Sequence, residues 1–164
     1  MQPNPPQHGL PQYGLPQYGL RPKPRANTAA AVTAGILGVL TACMLVWFVL
    51  YNVIYASAPE GGWSGQVMQN VVFGVIAAVV LMVAAAFTFA RRIPGAWTLF
   101  GFCVFYVMAV LVATPLLWGT PLSTHLKWIF GFQKSNGVAI ALVIIFGILT
   151  AITAAIAGSV KSRG

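Results

Sequence analysis

Long apolar blocks alternate with short polar stretches along this chain, and the blocks set its architecture. They cover residues 29–55, 67–90, 96–118 and 137–160, and none contains a charged side chain. Each reaches the roughly 20 residues that a helix needs to cross a hydrocarbon core about 30 Å thick. Backbone polar groups in lipid find no water, so a helix that satisfies its own groups is the expected form. A membrane barrel would instead show short alternating strands. The pattern predicts an all-α membrane protein: a four-helix transmembrane bundle, up-down-up-down, in the segment 27–164. Residues 1–26 form a separate Pro-rich tail.

Composition supports the membrane reading. Only 6% of the residues are charged, against about 25% in an ordinary soluble domain, too few to cover a water-facing surface. Nine Lys and Arg face one acidic residue, Glu60. No basic stripe with interleaved aromatics appears, so the charge does not imply nucleic-acid binding. Its clusters lie at the ends of apolar blocks, which fits membrane orientation and attraction to anionic membrane lipids.

Orientation follows from those clusters. Arg21, Lys23 and Arg25 precede span one, Arg91 and Arg92 join spans two and three, and Lys161 and Arg163 follow span four. Alternating helices put all seven on one side and leave Lys127 and Lys134 on the other. Positive charge stays inside, so both termini are expected in the cytoplasm, with the plasma membrane as the location. Ala56-Ser57-Ala58 resembles a signal-peptide cleavage site. The apolar block before it is nearly twice the usual 7–15 residues, which indicates an uncleaved span. Trp47, Tyr51, Tyr55, Trp63, Trp97, Trp118 and Trp128 fall near the predicted span edges, as interfacial aromatics do.

Small residues recur at steps of three and four in span one (Ala31, Ala34, Gly35, Gly38, Ala42) and span four (Gly147, Ala151, Ala154, Ala155, Gly158). Such ridges let helices approach closely in lipid. Ala34, Gly35, Gly38, Ala151, Ala155 and Gly158 are therefore the candidate helix-packing residues, serving either the bundle itself or a partner. Phe48, Phe73, Phe100, Phe102, Phe105 and Phe146 are expected on the opposite faces, against lipid or a partner. Pro115 is expected to kink or end span three. In the loop 119–136, Leu122, Leu126, Ile129 and Phe130 recur at helical spacing, predicting a short interfacial helix on the outer leaflet.

The sequence offers little chemistry. An ionisable residue within a span would mark ion or proton coupling, and there is none. The two histidines, His8 and His125, lie outside the spans, which gives no haem ligation. With no Asp in the chain, a Ser/His/Asp triad is excluded. Cys43 and Cys103 form no metal-ligand cluster and are expected as small buried apolar residues. Glu60 and His125 share the outer side. Thr33, Thr41, Thr88, Thr98, Thr114, Thr150 and Thr153 can bond to their own helices; Asn52 and Asn70 are candidates for bonds between helices. No catalytic residue, cofactor or metal is expected, and the chain is not expected to be an enzyme.

The tail reads PQHGL, PQYGL, PQYGL over residues 6–20. Proline every five residues forbids a continuous helix and favours disordered polyproline-II chain. Each unit offers a ring and a leucine. Tyr13, Leu15, Tyr18 and Leu20 are thus candidate partner-docking residues, as repeated stickers on a flexible chain; the alternative is a solvated leader. The run PQYGLPQYGLRPKPR leading into a four-span core resembles the small integral membrane proteins of actinobacteria, many of which carry a cytoplasmic Pro/Gln/Tyr/Gly-rich leader. Those proteins include accessory subunits of larger assemblies such as respiratory cytochrome complexes. The resemblance implies a membrane-protein partner and supplies no site motif to map onto residues here.

Two functions follow as expectations. The first is a non-catalytic accessory or scaffold subunit of a membrane complex, in a respiratory supercomplex or the cell-envelope machinery. The second is a small oligomeric transporter or channel, whose Gly- and Ala-rich spans would line a narrow path.

Overall fold

The computed structural model describes residues 25–58 and 61–159. The chain is an all-α four-helix bundle, and no strand occurs among the described residues. Four spans are long and apolar enough to cross a membrane: Thr28–Ser57, Gly65–Phe89, Ile93–Trp118 and Ser135–Gly158. They make this a multi-pass membrane protein. Helix α1 is Thr28–Ser57, α2 is Gly65–Phe89, and the third span begins as α3, Ile93–Met108. It passes through a π-helical turn at Ala109–Ala113 and finishes as α4, Thr114–Trp118. Then come α5, Leu122–Phe130, and α6, Ser135–Gly158.

Local chemistry fixes several boundaries. The Asn27 side chain accepts from the Ala30 N–H at 3.3 Å, and Ser64 Oγ accepts from the Val67 N–H at 3.2 Å, so two helices start on side-chain caps. The turn from α2 to α3 passes through Arg91, whose φ of 56° lies in the left-handed region. Pro94 occupies the first turn of α3, where its missing N–H costs no bond. Trp118 is followed by Gly119 at φ 62°, the left-handed conformation that commonly ends a helix.

The helices form a ring in the order α1, α2, α3, α6. The seams of α1 with α6 and with α2 are the most extensive, and the seam of α2 with α3 is the least extensive of the four. Small residues make the tight seams possible. A Cβ on Gly74 would stand 2.5 Å from Val49 Cγ2, and one on Gly35 would stand 2.7 Å from the Phe89 ring. At Gly38, α1 meets Ala85 of α2 and Leu99 of α3 together, both 3.4 Å from an added Cβ. Leu45, Leu81, Leu99 and Val143 fill the centre.

Two expectations about facing residues are corrected. Phe48 does not face lipid: it is buried against Ile129, Ile140 and Ile144. Cys43 is exposed on the bundle surface, and only Cys103 is buried. Of the other phenylalanines, Phe73 and Phe105 do face outward, while Phe100 and Phe102 are partly buried against the core.

Candidate functional site

The predicted packing residues act inside the bundle. Ala34, Gly35, Gly38, Ala151 and Gly158 are buried, and Ala155 is half-buried. Gly158 lies under the Trp97 indole, 2.9 Å from its Nε1 to an added Cβ. The small-residue ridges of α1 and α6 are thus occupied by neighbouring helices of the same chain. Tyr13, Leu15, Tyr18 and Leu20 lie outside the described residues, as does Glu60.

The interior polar groups are satisfied locally. Thr41 Oγ1 donates to the Leu37 carbonyl at 2.8 Å, and Thr150 Oγ1 donates to the Phe146 carbonyl at 2.6 Å. The two hydroxyl oxygens also stand 3.4 Å apart across the α1–α6 seam. Each hydroxyl has one proton, and the shorter bonds to the carbonyls take both. The contact between them is therefore polar packing rather than a strong bond. Thr88 bonds back to Ala84 in the same way, at 2.8 Å. Asn52, expected to bridge helices, instead donates Nδ2–H to the Phe48 carbonyl of its own helix at 2.8 Å. Among the described residues, Asn70 makes no bond between helices either. The cavity beside Thr41, Cys103, Tyr106 and Gly147 measures about 10 Å³, at or below the space one water needs.

The far end of the bundle, away from Arg25 and Ser159, carries a feature that spacing did not reveal. In the π-helical turn the Thr114 N–H bonds to the Ala109 carbonyl, five residues back. Pro115 has no N–H. Neither residue can supply the Val110 carbonyl, which an ordinary helix would pair with Thr114 and a continued π-helix with Pro115. His125 of α5 reaches this carbonyl, with Nε2 at 2.9 Å. A carbonyl only accepts, so Nε2 carries the hydrogen. The imidazole also stacks on Trp128, with ring centroids 6.0 Å apart. The predicted amphipathic helix is present, but it docks on the bundle. Ile129 is fully buried against α6, and the Trp128 carbonyl lies against Gly137.

The other end gathers Arg25, Arg91 and Arg92, three of the five basic residues among those described. The Ala26 N–H donates to the Arg91 carbonyl at 3.2 Å. The Arg91 guanidinium returns two bonds to the Ala26 carbonyl, at 3.1 Å and 3.3 Å. The Asn27 N–H donates to the Ala157 carbonyl at 3.3 Å. The start of α1 is thereby tied to the α2–α3 turn and to the end of α6. Arg92 turns the other way, its guanidinium 5.5 Å from the centre of the Phe87 ring. In the sequence both arginines carry only an orientation charge; the tertiary arrangement gives them separate roles.

Comparison with protein-family models, with curated proteins and with solved structures found no match.

Proposed function

We propose that this protein is a non-catalytic accessory or scaffold subunit of a membrane protein complex. The host is a respiratory cytochrome assembly or the cell-envelope machinery, in keeping with its resemblance to small actinobacterial membrane proteins. The protein sits in the plasma membrane with both termini in the cytoplasm. That orientation is supported by the clustering of Arg25, Arg91 and Arg92 at one end of the bundle, where the positive charge concentrates.

The bundle interior carries the functional reading. Leu45, Leu81, Leu99 and Val143 close the centre, and Thr41, Thr88 and Thr150 spend their hydroxyls on their own helices. Among the described residues, the one buried side-chain contact between polar groups is the Thr41–Thr150 pair, beside a space of about 10 Å³. Among the described residues, such an interior is filled with apolar side chains and locally bonded hydroxyls, which suits a structural element. The features with recognition chemistry are peripheral: the basic end, the docked α5, and the PQxGL units of the tail.

The test is recovery of the full chain at native expression through an affinity tag, after mild detergent extraction, with mass spectrometry of what accompanies it. A second arm deletes residues 1–20. Stoichiometric recovery of a membrane complex is expected, and its loss on deletion identifies the PQxGL units as docking elements. Recovery of the protein alone as a homo-oligomer would overturn this reading in favour of an oligomeric transporter, to be checked by flux in proteoliposomes.

A further inference from the structure

The seam between α2 and α3 is the least extensive in the ring, and it opens into a surface groove of about 470 Å³. That volume falls in the range of about 300–1,000 Å³ that small-ligand sites occupy. Val79, Val83 and Phe87 line one wall at four-residue steps, and Pro94 and Thr98 line the other. The Thr98 hydroxyl donates to the Pro94 carbonyl at 2.9 Å, so its polarity is spent on its own helix. From Val79 to Phe87 the stripe runs about 12 Å along the axis, close to the roughly 15 Å of hydrocarbon in one leaflet.

One cation stands at the terminal end of this apolar groove. Arg92 belongs to its lining, and its guanidinium sits over the face of Phe87. The two neighbouring arginines differ in what they hold. Arg91 spends its guanidinium on the Ala26 carbonyl, whereas the Arg92 side chain makes no hydrogen bond among the described residues. Guanidinium donors suit the paired oxygens of a phosphate. An apolar trough with a cation at the depth of the headgroups has the layout of a lipid site.

We propose that the α2–α3 groove binds one acyl chain of an anionic phospholipid, with the lipid phosphate held by Arg92. A second transmembrane helix fits the groove poorly. Close helix approach needs small residues, yet the only small residues of the lining, Ala84 and Gly95, are buried beneath the larger side chains, and Ala77, Ala78 and Ala85 are buried within the bundle. The wall left outside is Val79, Val83 and Phe87, β-branched or aromatic. This site is independent of the scaffold reading, because it belongs to the single chain.

The test is native mass spectrometry of the full chain in mild detergent. Phosphatidylglycerol and phosphatidylcholine with identical acyl chains are titrated separately and in competition. The expected result is a preference of about fivefold for phosphatidylglycerol, the contribution of one basic residue beside an anionic headgroup. Arg92→Gln abolishes the preference, and Arg92→Lys keeps part of it. Arg25→Gln, which removes an equal charge at the same end but outside the groove, leaves it unchanged. Val83→Trp fills the groove from an outward-facing position and lowers occupancy by both lipids. Inorganic phosphate does not compete, since it brings no chain. Equal binding of the two lipids by the native chain would overturn the proposal. So would a preference that Arg25→Gln and Arg92→Gln reduce equally, or a groove occupied by a second copy of the chain.

Discussion

His125 Nε2 stands 2.9 Å from the carbonyl oxygen of Val110, the acceptor that Pro115 leaves without a backbone donor. Val110 and His125 are 15 residues apart in sequence and belong to different helical elements. The proline opens the third span into a π-helical turn, as Pro-induced disruptions of transmembrane helices do. The imidazole closes it from α5.

His125→Ala is therefore expected to destabilise the fold by about 1–2 kcal/mol, the cost of a half-buried acceptor losing its donor. Pro115→Ala restores an N–H to the third span. Residues 109–115 can then return to ordinary helical pairing, and His125 loses its special acceptor. In the Pro115→Ala background the cost of His125→Ala should shrink by about 1 kcal/mol, leaving what the stacking on Trp128 contributes. A double-mutant cycle read by reversible unfolding in detergent measures this. Additive costs would show that the histidine acts elsewhere.

The glycines separate by what stands over them. A Cβ at Gly95 would lie 2.6 Å from Phe87 Cβ and 2.8 Å from the Phe87 carbonyl carbon. Backbone cannot yield as a side-chain tip does, so Gly95→Ala should force the α2–α3 turn apart at a cost of about 1–3 kcal/mol. At Gly101, in α3, an added Cβ meets nothing within 4 Å. Gly101→Ala should be neutral or stabilising by up to about 1 kcal/mol through helix propensity. Unfolding midpoints of the two variants, measured side by side, should move in opposite directions or differ by at least that much.

The spans were legible because apolar length alone defines them. The same uniformity hid which face of each helix turns inward. Every side of α1 is apolar, so nothing in the sequence marks that Phe48 turns inward and Cys43 outward. Helix α5 was legible from the spacing of Leu122, Leu126, Ile129 and Phe130. Its docking was not: Ile129 is fully buried while Leu122 and Phe130 remain exposed, and that division depends on where α6 stands. The candidate packing residues were readable from their spacing. Arg92 as part of a groove was not, since the groove arises from the separation of two helices. Nor was the Val110–His125 bond, which no local motif encodes.

The threonine pair at the α1–α6 seam should contribute little. Thr41 and Thr150 each donate to their own helix, at 2.8 Å and 2.6 Å, and meet each other only at 3.4 Å. Substitution by valine keeps the shape and removes the hydroxyl. Thr41→Val and Thr150→Val should each change stability by less than about 1 kcal/mol, with a coupling between them no larger than about 0.6 kcal/mol, the average for bonds between membrane helices. A coupling well above 1 kcal/mol would mean that one hydroxyl donates across the seam.

Arg91 sets a different balance. Its left-handed backbone costs about 1–2 kcal/mol, and its guanidinium offsets this by holding the Ala26 carbonyl. Arg91→Gly relieves the backbone and loses the clip. Arg91→Lys keeps the charge but cannot place two N–H groups on one carbonyl in the same fork. Both variants should therefore fold, yet both should loosen the start of α1. Hydrogen exchange reads this directly. The Ala26 and Asn27 amides, bonded to the Arg91 and Ala157 carbonyls, should exchange about tenfold faster in either variant, the equivalent of about 1.4 kcal/mol of local protection. Amides near Leu45 should be unchanged. If those amides speed up to the same extent, the arginine supports the whole bundle rather than the junction through which the tail joins it.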